Sequence, residues 1–150
     1  QIDQYGNLNS SFIGPADSPS VRLPGTGGGN DIASLTKMIV AMPQEKRRFV
    51  EKVDFVTSPG YLTGGTSRVD SGLVAGGMHR VVTDLAMLGF EEESGRMMVL
   101  ELHPGVTPER VRENTGFELI IGPDVGVTEP PTDEELAALR HLDPDKVYIA

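Results

Sequence analysis

The apolar residues of this chain occur in short runs that glycine and proline interrupt, so the chain can form only short strands and helices. Lys37–Met42 is an apolar run ended by Pro43, and its length predicts a buried strand. Phe49–Thr57 alternates apolar and charged residues, which predicts a second strand. His79–Phe90 is predicted to be mostly strand and to form a hairpin with another strand at Met97–Leu102.

Helix signals lie outside these strands. Thr107–Glu109 predicts a helix start with a threonine N-cap and a proline in the first turn, and Gly116 predicts its end in a left-handed C-terminal cap. Thr132 and Glu135 have the spacing of a capping box, which predicts a C-terminal helix. A single helical turn is predicted at Ile32–Leu35.

The remaining chain is predicted to be loop, apart from one more strand at Phe117–Ile121. Residues 1–30 are rich in turn signals, and residues 60–79 are a long glycine-rich loop of the kind that is usually functional or mobile. Strands mixed with a few short helices indicate an α/β fold.

Composition removes several classes of protein. With 150 residues, of which 38% are hydrophobic, the chain has enough apolar material for one domain or part of one. Its net charge of −9 argues against a nucleic-acid or anionic-membrane partner. No apolar run approaches the roughly 20 residues that span a bilayer. Cysteine is absent and residues 1–30 contain no secretory signal, so we expect a cytoplasmic protein without disulfides or thiolate metal sites.

The densest glycine cluster, Gly25–Asp31, is the first candidate for a functional site. Consecutive glycines let the backbone approach a ligand, and successive N–H groups can bind an anion. An ordinary flexible loop explains the same residues equally well. The cluster is not a Walker loop, because no Gly-Lys-Ser/Thr follows, and it lacks the dinucleotide-binding fingerprint.

The ionisable residues give weaker signals. His79, His103 and His141 lack zinc-site spacing, so we expect no metal, and the last two are best explained as structural. Asp84 and Glu101 lie in apolar strand sequence, where a solvated face is favoured over deliberate burial. The charged stretch 44–52 is typical of a solvated surface, with a basic rim for a phosphorylated ligand or an acidic partner as the alternative.

Four segments, in order along the chain, resemble motifs of the family I CoA-transferases. Gln1–Asn9 resembles the stretch Q-[VI]-D-x-x-G-N-x-N, and Gly25–Asp31 resembles the G-x-G-G-x-x-D loop. Val82–Leu85 resembles the [VI]-T-[ED] strand, and Leu100–Phe117 resembles the block E-L-x-x-G-[VL]-T-x-x-x-V-x-x-x-T-G-[FC]. Pro43–Leu62 is most similar to the β-subunit of the glutaconate CoA-transferase type.

This resemblance implies an α/β fold with an open mixed sheet flanked by helices, the CoA-transferase fold. It also implies a reaction that moves CoA between carboxylic acids through a glutamyl-CoA thioester, with coenzyme A as a substrate and no permanently bound cofactor. Gly27, Gly28 and Gly29 are implied to border the active site and bind CoA, with Gly28 supplying an N–H to an oxyanion. The acidic residue of the third motif, Asp84, is implied to be a catalytic residue with Gly28.

The sequence departs from the family at the nucleophile. Relatives carry the catalytic glutamate in an S-E-N-G-type segment before the first motif, whereas here Glu113-Asn114 lies far downstream in a predicted helix. We therefore expect residues 1–150 to be the C-terminal part of a single β-subunit domain, with the nucleophile in an N-terminal segment absent from this chain. The alternative functions are a CoA-thioester hydrolase, a ring-opening hydrolase or a decarboxylase on the same scaffold, or a non-catalytic scaffold subunit.

The resemblance also implies partners. We expect a hetero-oligomer with a CoA-transferase α-subunit and with the N-terminal segment of the chain's own β-subunit. The expected substrates are an acyl-CoA and a free carboxylic acid similar to glutaconate. Neither nucleic acid nor a membrane is an expected partner.

Overall fold

The computed structural model of the protein describes residues 1–147. The strands within them are β1 (Phe12–Ile13), β2 (Val21–Arg22), β3 (Lys37–Ala41), β4 (Gly77–Val82), β5 (Ala86–Phe90), β6 (Met97–Leu102) and β7 (Ile120–Val127). The helices within them are α1 (Gly29–Leu35), α2 (Ser67–Asp70), α3 (Pro108–Glu113) and α4 (Asp133–Leu142). In this described part of the chain, no helix is long and apolar enough to cross a membrane.

A five-stranded sheet in the order β3-β4-β5-β6-β7 is the centre of the fold. β3 pairs parallel with β4, and β6 pairs parallel with β7, whereas β4, β5 and β6 are antiparallel neighbours. The sheet is therefore open and mixed, as predicted, and the predicted hairpin of β5 and β6 is confirmed. A separate two-stranded sheet joins β1 to β2.

The core lies against β4, β5 and β6 and also takes in the N-terminal segment and α3. Its largest fully buried side chains are Phe49, Ile2, Met78, Leu88, Met97, Val81, Val99 and Val111. Burying aliphatic and aromatic side chains of this size contributes about 1.5–3 kcal/mol each. Residues outside regular elements thus hold the N-terminal motif firmly to the sheet.

The predicted long strand at His79–Phe90 is wrong in one respect, because a turn divides it into β4 and β5. The Thr83 hydroxyl accepts hydrogen bonds from the N–H groups of Leu85 and Ala86, at 3.0 and 2.8 Å. A side-chain oxygen that captures backbone donors two and three residues ahead stabilises a turn. Asp84 consequently lies at the tip of a turn, exposed to solvent, rather than within a strand.

The strand predicted at Phe49–Thr57 is not formed, and the segment consists of bends. The Val50 N–H donates to Ile2 O at 3.0 Å, while Phe49 O accepts from the Gly116 N–H at 2.7 Å. The backbone bonds of this segment go to several different segments rather than to one neighbouring strand. The alternation of apolar residues therefore arose without a ladder of strand hydrogen bonds.

Two further predictions need correction. Lys37–Met42 does contain a strand, β3, but the strand lies at the sheet edge and leaves Ile39 63% exposed rather than buried. Gly116 is not a left-handed cap, since α3 ends at Glu113 with Asn114 as the C-cap. Gly116 is instead required to lack a side chain, because a Cβ there would lie 2.4 Å from Phe49 O.

The helix starts predicted at Thr107 and Thr132 are confirmed. The Thr107 side chain accepts from the Arg110 N–H at the start of α3. Thr132 and Glu135 form the reciprocal capping box of α4. The turn predicted at Ile32–Leu35 is the second half of α1, which begins at the glycine cluster. The loop predicted at residues 60–79 contains α2 and the beginning of β4.

Candidate functional site

The glycine cluster Gly25–Asp31, called the glycine loop below, is an ordered turn that leads into α1. The Gly25 N–H donates to Ser10 O at 2.7 Å, and the Gly29 N–H donates to Thr26 O at 2.8 Å. The Asn30 N–H donates to the Thr26 hydroxyl at 2.8 Å. Gly25 and Gly27 have φ values of +95° and +51°, which only glycine adopts without strain. The sequence therefore fixes this backbone instead of leaving it flexible.

Gly27 and Gly28 present an open backbone. A Cβ atom at either position would meet no atom within 4 Å. Within residues 1–147, neither of their N–H groups has a hydrogen-bond acceptor, although both neighbours Gly25 and Gly29 donate. Unpaired donors on accessible backbone can bind a carboxylate, a phosphate or a developing oxyanion.

Gly29 differs from these two residues, because its N–H is already used in the turn. A Cβ at Gly29 would lie 3.2 Å from Ser58 Oγ, so the glycine permits close contact between α1 and the segment that contains Ser58. The Asn30 side chain strengthens that contact by donating to Thr57 O at 2.9 Å. The glycine loop is thus attached on one side and open on the other.

Asp84 is held at the tip of the β4–β5 turn by one strong hydrogen bond. The Gln44 backbone N–H donates to Asp84 Oδ1 at 2.7 Å. Asp84 Oδ2 accepts no hydrogen bond from residues 1–147 and the residue is exposed, so half of the carboxylate remains available for a proton or a ligand. A carboxylate in this arrangement can accept a proton or repel a second negative charge.

Gln44, which the sequence did not mark as a site residue, lies next to Asp84 and is buried, with 2% of its surface exposed. Its amide Oε1 lies 2.8 Å from the Thr83 hydroxyl, and its Nε2 donates to Thr115 Oγ1 at 3.0 Å. A side chain whose two amide ends both have partners is confined to one rotamer. The backbone N–H that holds Asp84 is thereby fixed as well.

His103 belongs to the same polar cluster. Its Nε2 lies 2.8 Å from Thr83 O, which is a pure acceptor, so Nε2 carries a proton. Its Nδ1 lies 2.8 Å from Thr128 Oγ1. Both ring nitrogens are therefore occupied. Among residues 1–147, no group of histidine, aspartate and glutamate side chains is arranged to hold a metal ion.

The N-terminal motif contains a buried carboxylate that the sequence did not reveal as such. Asp3 is 3% exposed, and its Oδ1 accepts from the backbone N–H groups of Tyr5 and Asn7 at 3.0 Å. The Asn7 amide nitrogen lies within 3.1 Å of both Asp3 oxygens. Burial raises the pKa of Asp3, and the hydrogen bonds from Asn7 and Tyr5 oppose that rise.

A cleft of about 700 Å³ lies beside this motif, lined in part by Asp3, Asn7, Val56 and Leu62. Neither the glycine loop nor Asp84 lines it. The Asp3 and Asn7 side chains that face it already hold hydrogen bonds to each other and to backbone groups. These two side chains therefore serve the scaffold, and we place the candidate site at the glycine loop, which contains predicted site residues.

The predicted site residues form two separate groups in this structure. The glycine loop contacts the segment around Thr57 and Ser58, whereas Asp84 contacts Gln44. No hydrogen bond among residues 1–147 joins one group to the other.

Comparison with known proteins identifies the family. The family model described as Coenzyme A transferase matches residues 1–114, about three quarters of the chain. The chain belongs to the Coenzyme A transferase family. The matched region includes the glycine loop, Asp84 and the N-terminal motif, so all of the candidate site lies inside it.

Relatives and solved structures agree with this assignment. The B subunit of 3-oxoadipate CoA-transferase from Pseudomonas knackmussii is 42% identical over 144 residues, which is 95% of this chain and 55% of the relative. The B subunit of glutaconate CoA-transferase from Acidaminococcus fermentans is 41% identical over 150 residues, 99% of this chain and 56% of the relative. The crystal structure of that enzyme superposes with a TM-score of 0.92 at 40% identity, covering 100% of this chain and 58% of the other.

A third relative has a different activity in its name. The IpdB subunit of a cholesterol ring-cleaving hydrolase from Rhodococcus jostii is 39% identical over 150 residues, 96% of this chain and 57% of the relative. The crystal structure of IpdAB from that organism superposes with a TM-score of 0.85 at 35% identity, covering 98% of this chain and 59% of the other. The chain spans a little over half the length of these relatives.

Proposed function

We propose that this chain is part of a subunit of an enzyme that transfers CoA between an acyl-CoA and a free carboxylic acid. The observation that carries the proposal is the open glycine loop, with two unpaired N–H donors, in a chain of the Coenzyme A transferase family. Two relatives of about 41–42% identity are named as B subunits of CoA-transferases. A dicarboxylic acid such as glutaconate or 3-oxoadipate is the substrate class that those names support.

The proposed reaction proceeds by covalent catalysis. A glutamate carboxylate attacks the thioester carbonyl, the tetrahedral oxyanion expels CoA thiolate, and an acyl-glutamyl anhydride remains. The thiolate then attacks the glutamyl carbonyl, which releases the first acid as a carboxylate and leaves a glutamyl-CoA thioester. The second acid regenerates an acyl-CoA by the same steps in reverse. We assign the nucleophile to an N-terminal segment that precedes Gln1 in the full protein.

The role of Gly27 and Gly28 in this reaction is to stabilise the oxyanion. Each tetrahedral intermediate places a negative charge on the former carbonyl oxygen, and fixed backbone N–H groups bind that charge without reorganisation. Loss of one such donor typically lowers kcat by about 10²–10³-fold. Gly29 supports the two donors by allowing α1 to lie against Ser58.

The role proposed for Asp84 is electrostatic. Its fixed carboxylate adds negative charge at an exposed turn, where it favours the uncharged or protonated form of a neighbouring acid. No hydrogen bond in the described chain joins Asp84 to the glycine loop, and we expect a substrate held with a second subunit or the N-terminal segment to contact both groups.

The partner we propose is the α-subunit of the same enzyme. The solved structure of IpdAB is named for a pair of subunits, and the glutaconate and 3-oxoadipate relatives are named as B subunits. Without a second subunit to cover it, the glycine loop would face solvent. Water would then weaken the electrostatic stabilisation that the mechanism needs.

A second candidate function is hydrolytic ring opening of a CoA-linked substrate. The 39% identity to the IpdB subunit favours it, since that value nearly equals the identity to the transferases. The two functions differ in the nucleophile. Glutamate at the family position before Gln1 supports transfer, and another residue there supports the hydrolase.

The experiment is a CoA-exchange assay on the full-length protein with its α-subunit. Acyl-CoA is mixed with an isotopically labelled dicarboxylate, and mass spectrometry follows the label into the thioester pool. The proposal predicts labelled acyl-CoA and a glutamyl-CoA adduct that hydroxylamine cleaves. Absence of any labelled thioester contradicts transfer. Water-dependent opening of a ring in a CoA-linked substrate, with the thioester left intact, favours the hydrolase instead.

A further inference from the structure

Arg68, at the second position of α2, is the most unusual charged side chain in the described chain. It is 5% exposed, although arginine is almost never fully buried unless it is paired. The ion pairs found in residues 1–147 join other residues, so no carboxylate offsets its charge. Burial lowers the pKa of Arg68, which reflects the cost of removing the guanidinium from water.

Backbone carbonyls surround this guanidinium in place of a carboxylate. NH1 donates to Pro59 O at 3.1 Å and to Gly60 O at 2.8 Å. NH2 donates to Ala33 O at 2.8 Å and also contacts Ser34 O at 3.3 Å and Ala75 O at 2.6 Å. One side chain therefore connects three segments that are separated in the sequence.

Two of these segments are in direct contact with the glycine loop or continue from it. Ala33 and Ser34 lie in the last turn of α1, the helix that begins at the glycine loop. Pro59 and Gly60 directly follow Thr57 and Ser58, which contact the beginning of the same helix. The segment 57–60 therefore holds α1 at both ends, through Asn30 at the start and through Arg68 at the finish.

We propose that Arg68 is a positioning residue for the glycine loop: it fixes α1 on segment 57–60 and so sets the orientation of the Gly27 and Gly28 N–H groups. This inference rests on the proposed function of those groups. Lysine cannot replace arginine here, because a single ammonium group cannot span carbonyls that the planar guanidinium reaches on two sides.

The first test is a double-mutant cycle in the full-length complex. Arg68→Lys lowers kcat for CoA exchange at least tenfold with less than a threefold change in KM for acyl-CoA. In a Gly28→Val background the same substitution causes less than a twofold further loss, since the group it positions is already disabled. The matched control Arg22→Lys, at an exposed position of β2, leaves kcat unchanged.

Additive losses in the two backgrounds overturn the proposal, because a general structural role multiplies both rates alike. If Arg68→Lys does not assemble, Asn30→Ala removes only the bond to Thr57 O at the start of α1 and tests whether the attachment of α1 to segment 57–60 orients the glycine loop. It is expected to show a smaller loss that likewise disappears in the Gly28→Val background, and persistence of that loss overturns the proposal.

A second readout does not depend on activity. Amide hydrogen exchange in Ala33–Thr36 is expected to accelerate at least tenfold in Arg68→Lys, while exchange in β5 and β6 stays as in the parent. Unchanged exchange in α1 overturns the positioning role. If the parent complex transfers no CoA, the proposed function fails, and this exchange experiment still decides whether Arg68 fixes the helix.

Discussion

The N-terminal motif and the glycine loop both carry the resemblance to the CoA-transferases, yet they are opposite in construction. Around Asp3 and Asn7 nearly every polar atom has a partner, and the residues are buried. Around Gly27 and Gly28 the backbone is open, and two donors have no acceptor in the described chain. Motif residues of one family thus divide into those that build the scaffold and those available to a ligand.

The largest effect is expected from a substitution in the closed region, by which we mean the buried, hydrogen-bonded residues around Asp3 and Asn7. Asn7→Ala removes the side chain whose oxygen accepts from the N–H groups of Gly60 and Leu62 and whose nitrogen contacts Asp3. Buried donors and a buried carboxylate would lose their partners, so we expect the free energy of unfolding to fall by about 3–5 kcal/mol. Urea denaturation measures it. The control Asn114→Ala, which loses one exposed bond, should cost less than about 1 kcal/mol.

The next largest effect is expected from a substitution in the open region, the exposed backbone of Gly27 and Gly28. It should reduce activity without unfolding the protein. A Cβ atom at Gly28 would meet no atom within 4 Å, and the φ of −86° suits residues other than glycine, so for Gly28→Val we expect stability to change by less than about 1 kcal/mol. The side chain covers the donors, so kcat for CoA exchange should fall by about 10²–10³-fold. Gly122→Val, at an equally open position in β7, serves as the control. Full activity in Gly28→Val would show that the loop is only scaffold.

Asp84 gives a smaller effect of the same kind. Asp84→Asn keeps an oxygen that accepts from the Gln44 N–H but removes the charge. We expect kcat to fall about tenfold, which corresponds to about 1.4 kcal/mol, with stability unchanged. Steady-state kinetics and a thermal melt check both parts. Asp124→Asn, an exposed aspartate in β7, is the matched control, and equal kinetics in the two variants would remove Asp84 from the site.

The smallest effect is a pH dependence of stability in the closed region. Burial raises the pKa of Asp3 above its ordinary value of 3.8, so the folded state holds the proton more tightly than the unfolded state. The stabilisation from this group is complete below pH 3.8 and is lost as the pH rises through the raised pKa. Relative to Asp3→Asn, which has no titrating group at this position, the parent should therefore lose unfolding free energy as the pH rises through that window. A constant difference across it would contradict the raised pKa.

Local signals in the sequence predicted much of the fold. The capping box of α4, the N-cap of α3 and the β5–β6 hairpin each depend on residues a few positions apart, and each is present. The turn at Thr83 was missed, because a threonine in an apolar run has the pattern of a strand until its hydroxyl captures two backbone donors. Its neighbour Asp84 was placed in the wrong element for the same reason.

Only part of the candidate site could be predicted from the sequence. Glycine spacing located the open backbone, since the positive φ values require glycine there. Arg68 gave no signal, because its carbonyl partners at Ala33 and Pro59 are 35 and 9 residues away and any residue supplies a carbonyl. Gln44 was hidden in a charged stretch for a similar reason, as its partner Thr115 is 71 residues distant.

A crystal structure of the full complex with an acyl-CoA or a tetrahedral-intermediate analogue tests directly whether the Gly27 and Gly28 N–H groups bind the oxyanion. We expect the carbonyl oxygen to lie within about 3.2 Å of the backbone nitrogen of Gly27 or Gly28. A carbonyl oxygen bound by other donors, with both glycine nitrogens beyond hydrogen-bond reach of about 3.5 Å, would contradict it.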